Sequence, residues 1–204
     1  MSDIARPLVK KIPYNVQGLT QLSHEVKGTP ADELLFDYPT VYIIYKKNKK
    51  DMYDVYVGET NNIWQRTRQH LIEDPKVRSD WADFRAAKDV NMVVIAHNLF
   101  NKSLTLDIEN KMMLYMSGVS SVQNLNNRRE NDQNKYYTEN DRDDIFSKAW
   151  RQLRQLDNKL FPLEQIIRDS ALFKASPFHK LTQEQFDAKN LVQDRITEVL
   201  LAGK

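Results

Sequence analysis

The sequence predicts an α+β fold in which a small central antiparallel sheet of three strands is flanked by helices and followed by a C-terminal helical extension. Residues 39–45, 52–58 and 92–96 are dense in apolar, β-branched and aromatic residues, the composition of buried strands. The segments between and after these runs carry apolar residues at helical spacing. Strand and helix signals mixed in this way predict a compact α+β domain.

Composition divides the chain into three parts. Residues 1–37 mix short apolar runs with several prolines and glycines, which predicts an N-terminal arm wrapped on the main body. Residues 38–130 hold the three strand signals and predict a domain of catalytic size. Residues 131–204 are predicted to be a polar loop and a helical extension or linker. A chain of 204 residues has room for one such domain with attachments, but not for two large domains.

The first two strand signals predict a hairpin, because the charged run 46–51 between them is typical of a turn. A helix is predicted after Gly58, with Thr60 or Asn61 as its N-cap, and Pro75 is placed to end it.

Two more helices are predicted within the domain, around 81–87 and over 104–117, and Gly118 is placed to end the second. Residues 119–140 contain few apolar residues and predict a long polar loop. In the extension, an apolar stripe runs from Ile145 to Leu160, and two further helices are predicted after Pro162 and from Thr182.

Composition also excludes several classes of protein. The chain has no cysteine, so it can form neither a thiolate metal site nor a cysteine nucleophile. No apolar run approaches the roughly 20 residues of a membrane span, and the N-terminus lacks the pattern of a secretory signal. We therefore expect a cytoplasmic protein with no membrane association. Because the net charge is only +2, any contact with phosphate must come from local basic clusters.

Two predicted helices carry polar residues beside their apolar faces. Arg66 and His70 lie one turn apart on the first helix and could converge on one ligand. Glu109, on the later helix, has methionines as its neighbours along the same side, so its carboxylate requires a cation. Taken singly, each residue is better explained without chemistry: the first two as a solvated helix flank, and Glu109 as the ion-pair partner of Lys111 or Arg66.

Their order along the chain favours a functional site. Val41-Tyr42 and Tyr56-Val57-Gly58 are followed by Arg66, by His70 four residues later and by Glu109 on a separate helix. This ordered set resembles the GIY-YIG endonuclease family, in which the two named tripeptides lie on adjacent strands of a small antiparallel sheet. In that family an arginine, a histidine or tyrosine, a glutamate and a later asparagine complete the site. The resemblance covers residues 41 to about 127.

By this resemblance, Tyr42 and Tyr56 match the two family tyrosines, and Gly58 allows a close approach of the backbone. Two residues depart from the family pattern: Thr40 replaces the first glycine, and Val57 replaces isoleucine. The spacer between the tripeptides is also longer than in many members. These departures affect the start of the first strand and the hairpin turn more than the residues of the proposed reaction.

The resemblance also implies the remaining site residues. Arg66 matches the family arginine, His70 the histidine or tyrosine position, and Glu109 the single metal-binding glutamate. The family asparagine is assigned to Asn124, and two neighbours are alternatives for it: Asn126 and Asn127.

Physical chemistry agrees with this set of residues. Hydrolysis of a phosphodiester needs an activated water and stabilisation of charge, which one divalent ion held by a carboxylate and waters can supply. An oxygen-only site at Glu109 implies Mg²⁺ or Mn²⁺ rather than zinc. Arg66 is suited to hold a phosphate oxygen. The base is Tyr42, Tyr56 or His70, and the sequence does not rank them.

Nucleic-acid contacts are predicted at Lys47 and Lys49 in the hairpin turn, and at Arg128 and Arg129 beyond the asparagines. For the lysines alone, a solubilising turn is the better explanation. For the arginines, a solvated loop and a phosphate contact explain the sequence equally well. The predicted substrate is DNA, with RNA as the alternative.

Three hypotheses therefore follow from the sequence. The first is a metal-dependent endonuclease within a larger DNA-processing or defence protein. The second keeps the fold but serves as a catalytically silent binding or docking module. The layout is similar to bacterial proteins in which a GIY-YIG module precedes a helicase-like ATPase, and since this chain has no phosphate-binding Gly-rich loop, such an ATPase would lie outside it. The third and weakest is a helical adaptor formed by residues 141–204.

Overall fold

A five-stranded mixed sheet forms the centre of the structure, a computed structural model that describes residues 4–126 and 138–175. In chain order the strands are β1 (Leu8–Pro13), β2 (Thr40–Lys47), β3 (Tyr53–Thr60), β4 (Asn91–Ala96) and β5 (Val122–Leu125). Across the sheet the order is β1-β4-β2-β3-β5. Neighbouring strands are antiparallel except β3 and β5, which are parallel. The predicted α+β class is confirmed.

Helices of the described residues pack on both faces of the sheet. Those before β4 are α1 (Val16–Val26), α2 (Pro30–Phe36), α3 (Ile63–Ile72), α4 (Asp74–Val77) and α5 (Ser79–Ala86). Those after β4 are α6 (Lys102–Ser117), α7 (Arg142–Leu156), α8 (Glu164–Asp169) and α9 (Ala171–Ala175). None of the helices in these described segments is long and apolar enough to cross a membrane.

Strand alternation separates the two faces. Side chains of successive strand residues point to opposite sides of a sheet. Val41, Ile43 and Val57 belong to the core that α6 and α7 cover. Tyr42 and Tyr56 belong to the second core, which α1, α2, α3 and α5 cover. The two tyrosines of the motifs therefore share one face of the sheet.

The predicted sheet was too small. Its three strands, β2, β3 and β4, are present and antiparallel, with the predicted hairpin between β2 and β3. The N-terminal segment adds β1 along the free edge of β4, from Leu8 opposite Ala96 to Pro13 opposite Asn91. Proline tolerates that position because an edge strand has one side without a hydrogen-bonding partner.

The prediction of a continuous polar loop over residues 119–140 was also wrong, because β5 lies within it. Composition concealed this strand because its central residues are polar and bond to the hairpin instead of packing in a core. Gln123 Oε1 accepts from Asn48 Nδ2 at 2.7 Å, and Asn124 Nδ2 donates to Asp54 Oδ1 at 2.7 Å. The helix predicted from Thr182 lies outside the described residues.

The N-cap of the helix after the hairpin lies one residue beyond Asn61 and two beyond Thr60, the two predicted caps. Asn62 is the N-cap of α3, and its side-chain oxygen accepts from Gln65 N at 2.9 Å. The helix ends at Ile72, and α4 begins at Asp74 with Pro75 in its first turn. This short connection keeps Asp74 close to the last turn of α3.

Candidate active site

Tyr42 and Gly58 face each other across the β2–β3 hairpin. A Cβ built on Gly58 would lie 2.4 Å from both Cζ and Oη of Tyr42, closer than real Cβ contacts. The tyrosine ring therefore occupies the space that any other side chain at Gly58 would need. Tyr42 is only 1% exposed, so the ring has no free volume into which it could move.

Helix α3 brings Arg66 and His70 to the tyrosine hydroxyls. His70 Nε2 lies 2.8 Å from Tyr42 Oη. Arg66 donates through Nε to Tyr42 Oη at 3.2 Å and through Nη2 to Tyr56 Oη at 3.5 Å. The structure thus joins four of the predicted site residues in one hydrogen-bonded cluster: Tyr42, Tyr56, Arg66 and His70.

The imidazole of His70 is held on one face by a ring stack and at both nitrogens by polar contacts. Its ring stacks on Trp81 of α5 with centroids 3.7 Å apart and planes 14° apart. Its Nδ1 lies 2.5 Å from the Asp74 carboxylate. Which ring nitrogen carries the proton depends on the tautomer, and a carboxylate that accepts at Nδ1 favours the proton there. In that tautomer Nε2 accepts from Tyr42 Oη.

Burial controls the charge of this cluster. Burial, and then the positive charges of Arg66 and Arg78, hold the pKa of His70 far below its usual value. Burial, and then the neighbouring Tyr56, raise the pKa of Tyr42 well above its usual value, although Arg66 opposes this. At neutral pH the free protein therefore presents a neutral imidazole and an un-ionised phenol.

Glu109 lies on the opposite face of the sheet, on α6, and is 7% exposed. The direction of α6 places it along β3. Thr105 Oγ1 lies 3.4 Å from Glu59 Oε2 near the end of β3, whereas Tyr53 N, at the start of β3, donates to Ser121 O just after α6. The helix therefore runs antiparallel to the strand.

Glu109 lies one helical turn beyond Thr105 on α6, about 6 Å further towards the end of the helix that is close to the start of β3. The outer edge of β3 carries β5 along Tyr53–Val55, and no further described strand pairs with this edge from Tyr56 onwards.

The donor chemistry at Glu109 fits a magnesium-type ion. Within residues 4–126 and 138–175, no group of three or more histidine, aspartate or glutamate side chains is arranged to hold a metal. A single carboxylate completed by waters and substrate oxygens suits Mg²⁺ or Mn²⁺, which keep several water ligands, and does not suit zinc.

The structure does not bring Asn124 to the tyrosine cluster. Its amide is bonded to Asp54, which lies two residues before Tyr56 on β3. Asn126 is attached to the edge of β3 through its N–H, which donates to Val55 O at 2.9 Å, and its carbonyl accepts from Arg78 at 3.4 Å. Asn127 lies outside the described residues.

The predicted nucleic-acid contacts lie away from the cluster or outside the described residues. Lys47 is five strand residues from Tyr42, about 17 Å along β2, and pairs with Asp51 at 2.8 Å. Lys49 is exposed in the same turn. Arg128 and Arg129 lie outside the described residues.

Sequence reasoning missed three residues of this region, two of which contact His70. Asp74 follows His70 by four positions, a spacing that brings side chains together along a helix, but it was interpreted as part of a helix stop with Pro75. Trp81 gave no signal beyond that of a core aromatic. Tyr14, from the N-terminal segment, packs near Trp81 with ring centroids 6.4 Å apart, and its buried hydroxyl has no hydrogen-bond partner among the described residues.

These features define a small α+β domain with a polar cluster on one face of its sheet. Residues 38–114 match the family model of the GIY-YIG catalytic domain. Comparison with curated proteins and with solved structures gave no match.

Proposed function

We propose that the domain is a divalent-metal-dependent endonuclease that hydrolyses phosphodiester bonds of DNA. The observation that carries this proposal is the cluster of Tyr42, Tyr56, Arg66 and His70, in which one guanidinium contacts two tyrosine hydroxyls. A purely structural tyrosine pair does not need a cation and an imidazole at its hydroxyls. The family match over residues 38–114 supports the same reaction class.

Arg66 is the group that would bind the phosphate. Its contacts with Tyr42, Tyr56 and Gln69 use only part of the donor capacity of a guanidinium. The side chain is half-buried, so the remaining N–H groups can reach a ligand from solvent while the tyrosines fix their direction. A forked cation of this kind matches two oxygens of a phosphodiester.

Tyr42 is the group that we assign to the attacking water. Its hydroxyl proton is directed to His70 and one oxygen lone pair accepts from Arg66. The oxygen can therefore accept a further hydrogen bond, as water activation requires. Tyr56, which is 8% exposed and contacts the same guanidinium, is placed to orient the phosphate.

Glu109 would hold the metal ion. When bound, a divalent ion polarises the phosphate and stabilises the leaving oxygen. Glu109 lies on the helix that covers one face of the sheet and the tyrosines lie on the other face. We propose that they act on one phosphodiester at the edge of β3 beyond Val55, where the described residues add no further strand. We assign the family asparagine role to one of Asn124, Asn126 and Asn127, and backbone tracking to Lys47, Lys49, Arg128 and Arg129.

The setting of the enzyme is also a proposal. The chain has no cysteine and so gains nothing from an oxidising compartment, which supports a cytoplasmic location. A helicase-like ATPase domain outside this chain is the proposed partner, within a larger DNA-processing or defence protein.

The test is cleavage of supercoiled, linear and branched DNA, and of a matched RNA, with Mg²⁺, Mn²⁺ or EDTA. We expect metal-dependent cleavage that Glu109→Ala lowers by about 100-fold or more. Asp107→Ala is the matched control, since Asp107 lies on the same helix but pairs with Arg142 of α7 at 3.3 Å. DNA binding without cleavage in either metal would refute the enzyme and support the binding or docking module instead.

A further inference from the structure

Within residues 4–126 and 138–175, Asp74 is the carboxylate that contacts the imidazole of the tyrosine cluster. Its side chain is 15% exposed and lies 2.5 Å from Nδ1 of His70, whose own side chain is fully buried. The contact joins α4 to α3, and Pro75 in the first turn of α4 restricts the backbone beside it. Asp74 and Tyr42 therefore lie at the two nitrogens of the same ring.

We propose that Asp74 is a positioning residue for the hydrolysis: it fixes the proton of His70 on Nδ1, so that Nε2 accepts the Tyr42 proton and the Tyr42 oxygen faces the attacking water. This inference rests on the proposed nuclease function. A histidine ring nitrogen is a donor or an acceptor according to the tautomer, and the tautomer is set by the partner of the other nitrogen. Without a carboxylate at Nδ1, no acceptor at that nitrogen would favour a proton there. The ring could then carry its proton on Nε2 instead.

The stack on Trp81 makes this arrangement rigid. The nearly parallel rings prevent the imidazole from tilting, and Tyr56 contacts its edge with ring centroids 5.2 Å apart. Rotation of the ring by half a turn would place carbon atoms opposite Asp74 and Tyr42 and would lose both contacts. The side chain is thus held in one orientation, and Asp74 selects the tautomer within it.

The chain of hydrogen bonds gives the proton of the water a defined route. As water attacks phosphorus, one water O–H bond breaks, a P–O bond forms and the P–O bond to the leaving sugar oxygen breaks. The water proton passes to Tyr42 Oη while the phenol proton passes to His70 Nε2, so that Tyr42 stays neutral. The imidazolium then returns its proton to solvent, and the leaving oxygen takes a proton from solvent.

The charges around His70 make this route depend on the substrate. The groups that face the ring are the carboxylate of Asp74, the guanidinium groups of Arg66 and Arg78, and the hydroxyls of Tyr42 and Tyr56. In the free protein the two arginines oppose an imidazolium. A phosphodiester bound at Arg66 brings a negative charge that offsets one of them, while Asp74 stabilises the proton on Nδ1.

The tautomer can be measured without any activity. We would label histidine with ¹⁵N and record long-range ¹H–¹⁵N correlations near neutral pH, which separate protonated from unprotonated ring nitrogens. The chain has four histidines, and the spectrum of His70→Gln assigns the signal. We expect a neutral His70 with the proton on Nδ1 in wild type, and a shift towards the Nε2 proton in Asp74→Asn.

Kinetics then test the role in catalysis. Asp74→Asn is expected to lower kcat by about 10-fold or more with KM and the Kd for DNA unchanged, because a wrong tautomer affects the chemical step. Asp74→Glu, which keeps a carboxylate, should retain the Nδ1 proton and more of the activity. Glu73→Gln is the control, since it removes an exposed charge on the same turn that pairs with Lys76 rather than with His70.

The outcomes separate this inference from the nuclease proposal. A wild-type His70 protonated at Nε2, or an Asp74→Asn variant with an unchanged tautomer, overturns the inference whatever the activity. An altered tautomer with unchanged kcat overturns the catalytic role. If wild type cuts no nucleic acid but shows the Nδ1 proton, the positioning by Asp74 is supported and only the nuclease function fails. Since the first measurement uses wild type, it holds even if Asp74→Asn does not fold.

Discussion

Replacing Gly58 with alanine adds one methyl group beneath the ring of Tyr42. The new Cβ would lie 2.4 Å from Cζ and Oη and 2.9 Å from Cε1 of that ring. The ring is fully buried between Tyr56 and His70, with centroids 6.1 and 5.9 Å away, so it must move as a unit or the strands must separate. Either movement lengthens the bonds from Tyr42 Oη to His70 and Arg66.

The magnitude follows from the cost of overpacking. Inserting a methyl group into a closely packed site costs about 1–3 kcal/mol, which for a domain of this size lowers Tm by roughly 2–12 °C. We expect cleavage to fall by more than this stability loss explains, because the Tyr42 hydroxyl, which we propose to activate the water, is displaced. Thermal unfolding and single-turnover cleavage of DNA, performed well below Tm, measure the two effects separately.

Gly118→Ala is the matched control for this experiment. Its Cβ would lie 2.9 Å from Ile167 Cγ2 and 3.0 Å from Ser170 Oγ, which is a milder clash, with the ends of two side chains, in a different part of the fold. This variant should lose stability but keep the cleavage rate of its folded fraction. Equal cleavage rates for the two folded variants would refute the role of Gly58 in placing the Tyr42 hydroxyl.

Three further predictions test the electrostatics and the hydrogen bonds of the site. Arg66→Lys keeps the charge but loses the planar guanidinium that contacts the two tyrosines, so the rate of single-turnover cleavage should fall about 100-fold with the fold intact. An unchanged rate would exclude Arg66 from the reaction. The lowered pKa of His70, due first to burial, means that the unfolded chain binds a proton below about pH 6.5 that the folded chain does not. As the pH falls below that value, this group should therefore lower the free energy of unfolding by about 1.4 kcal/mol per pH unit. In urea denaturation, the free energy of unfolding of His70→Gln should depend less steeply on pH than that of wild type. Equal pH slopes for the two proteins would contradict the lowered pKa of His70. Tyr14→Phe removes a buried hydroxyl without a partner among the described residues, so it should leave the free energy of unfolding unchanged or raise it by about 1 kcal/mol. Tyr53→Phe removes a hydrogen bond to Asp157 and should lower the free energy of unfolding by a similar amount. A loss of stability in both variants would show that the Tyr14 hydroxyl has a hydrogen-bond partner.

Local patterns were sufficient for much of the fold. The hairpin, the strand at 91–96 and helices α3, α5, α6 and α7 follow from β-branched runs and from apolar spacing, and each lies within a few residues of its predicted position. The two extra strands did not follow from such patterns. β1 is a short edge strand among prolines, and β5 is held by polar contacts to Asn48 and Asp54, so neither shows the apolar signature of a buried strand.

The same limit applies to the candidate site. Helical spacing alone placed Arg66 and His70 on one side of α3, and the structure joins both to Tyr42. The faces on which Glu109 and the tyrosines lie could not be derived from the sequence, because they depend on how α6 crosses the sheet. The contact between Asp74 and His70 could have been predicted, since residues four positions apart are neighbours on a helix. The proline beside Asp74 gave a stronger signal for a helix end.

The position of α6 makes the edge of β3 central to the proposed reaction. If Glu109 and the two tyrosine hydroxyls act on one phosphodiester, they must meet where no strand separates the two faces of the sheet. Among the described residues, β5 pairs with Tyr53–Val55 and stops before Tyr56, so none of them adds a strand beside Gly58. Under the proposed function, a substrate backbone lying along this edge would contact Arg66 on one face and a metal at Glu109 on the other, and a longer β5 would block it.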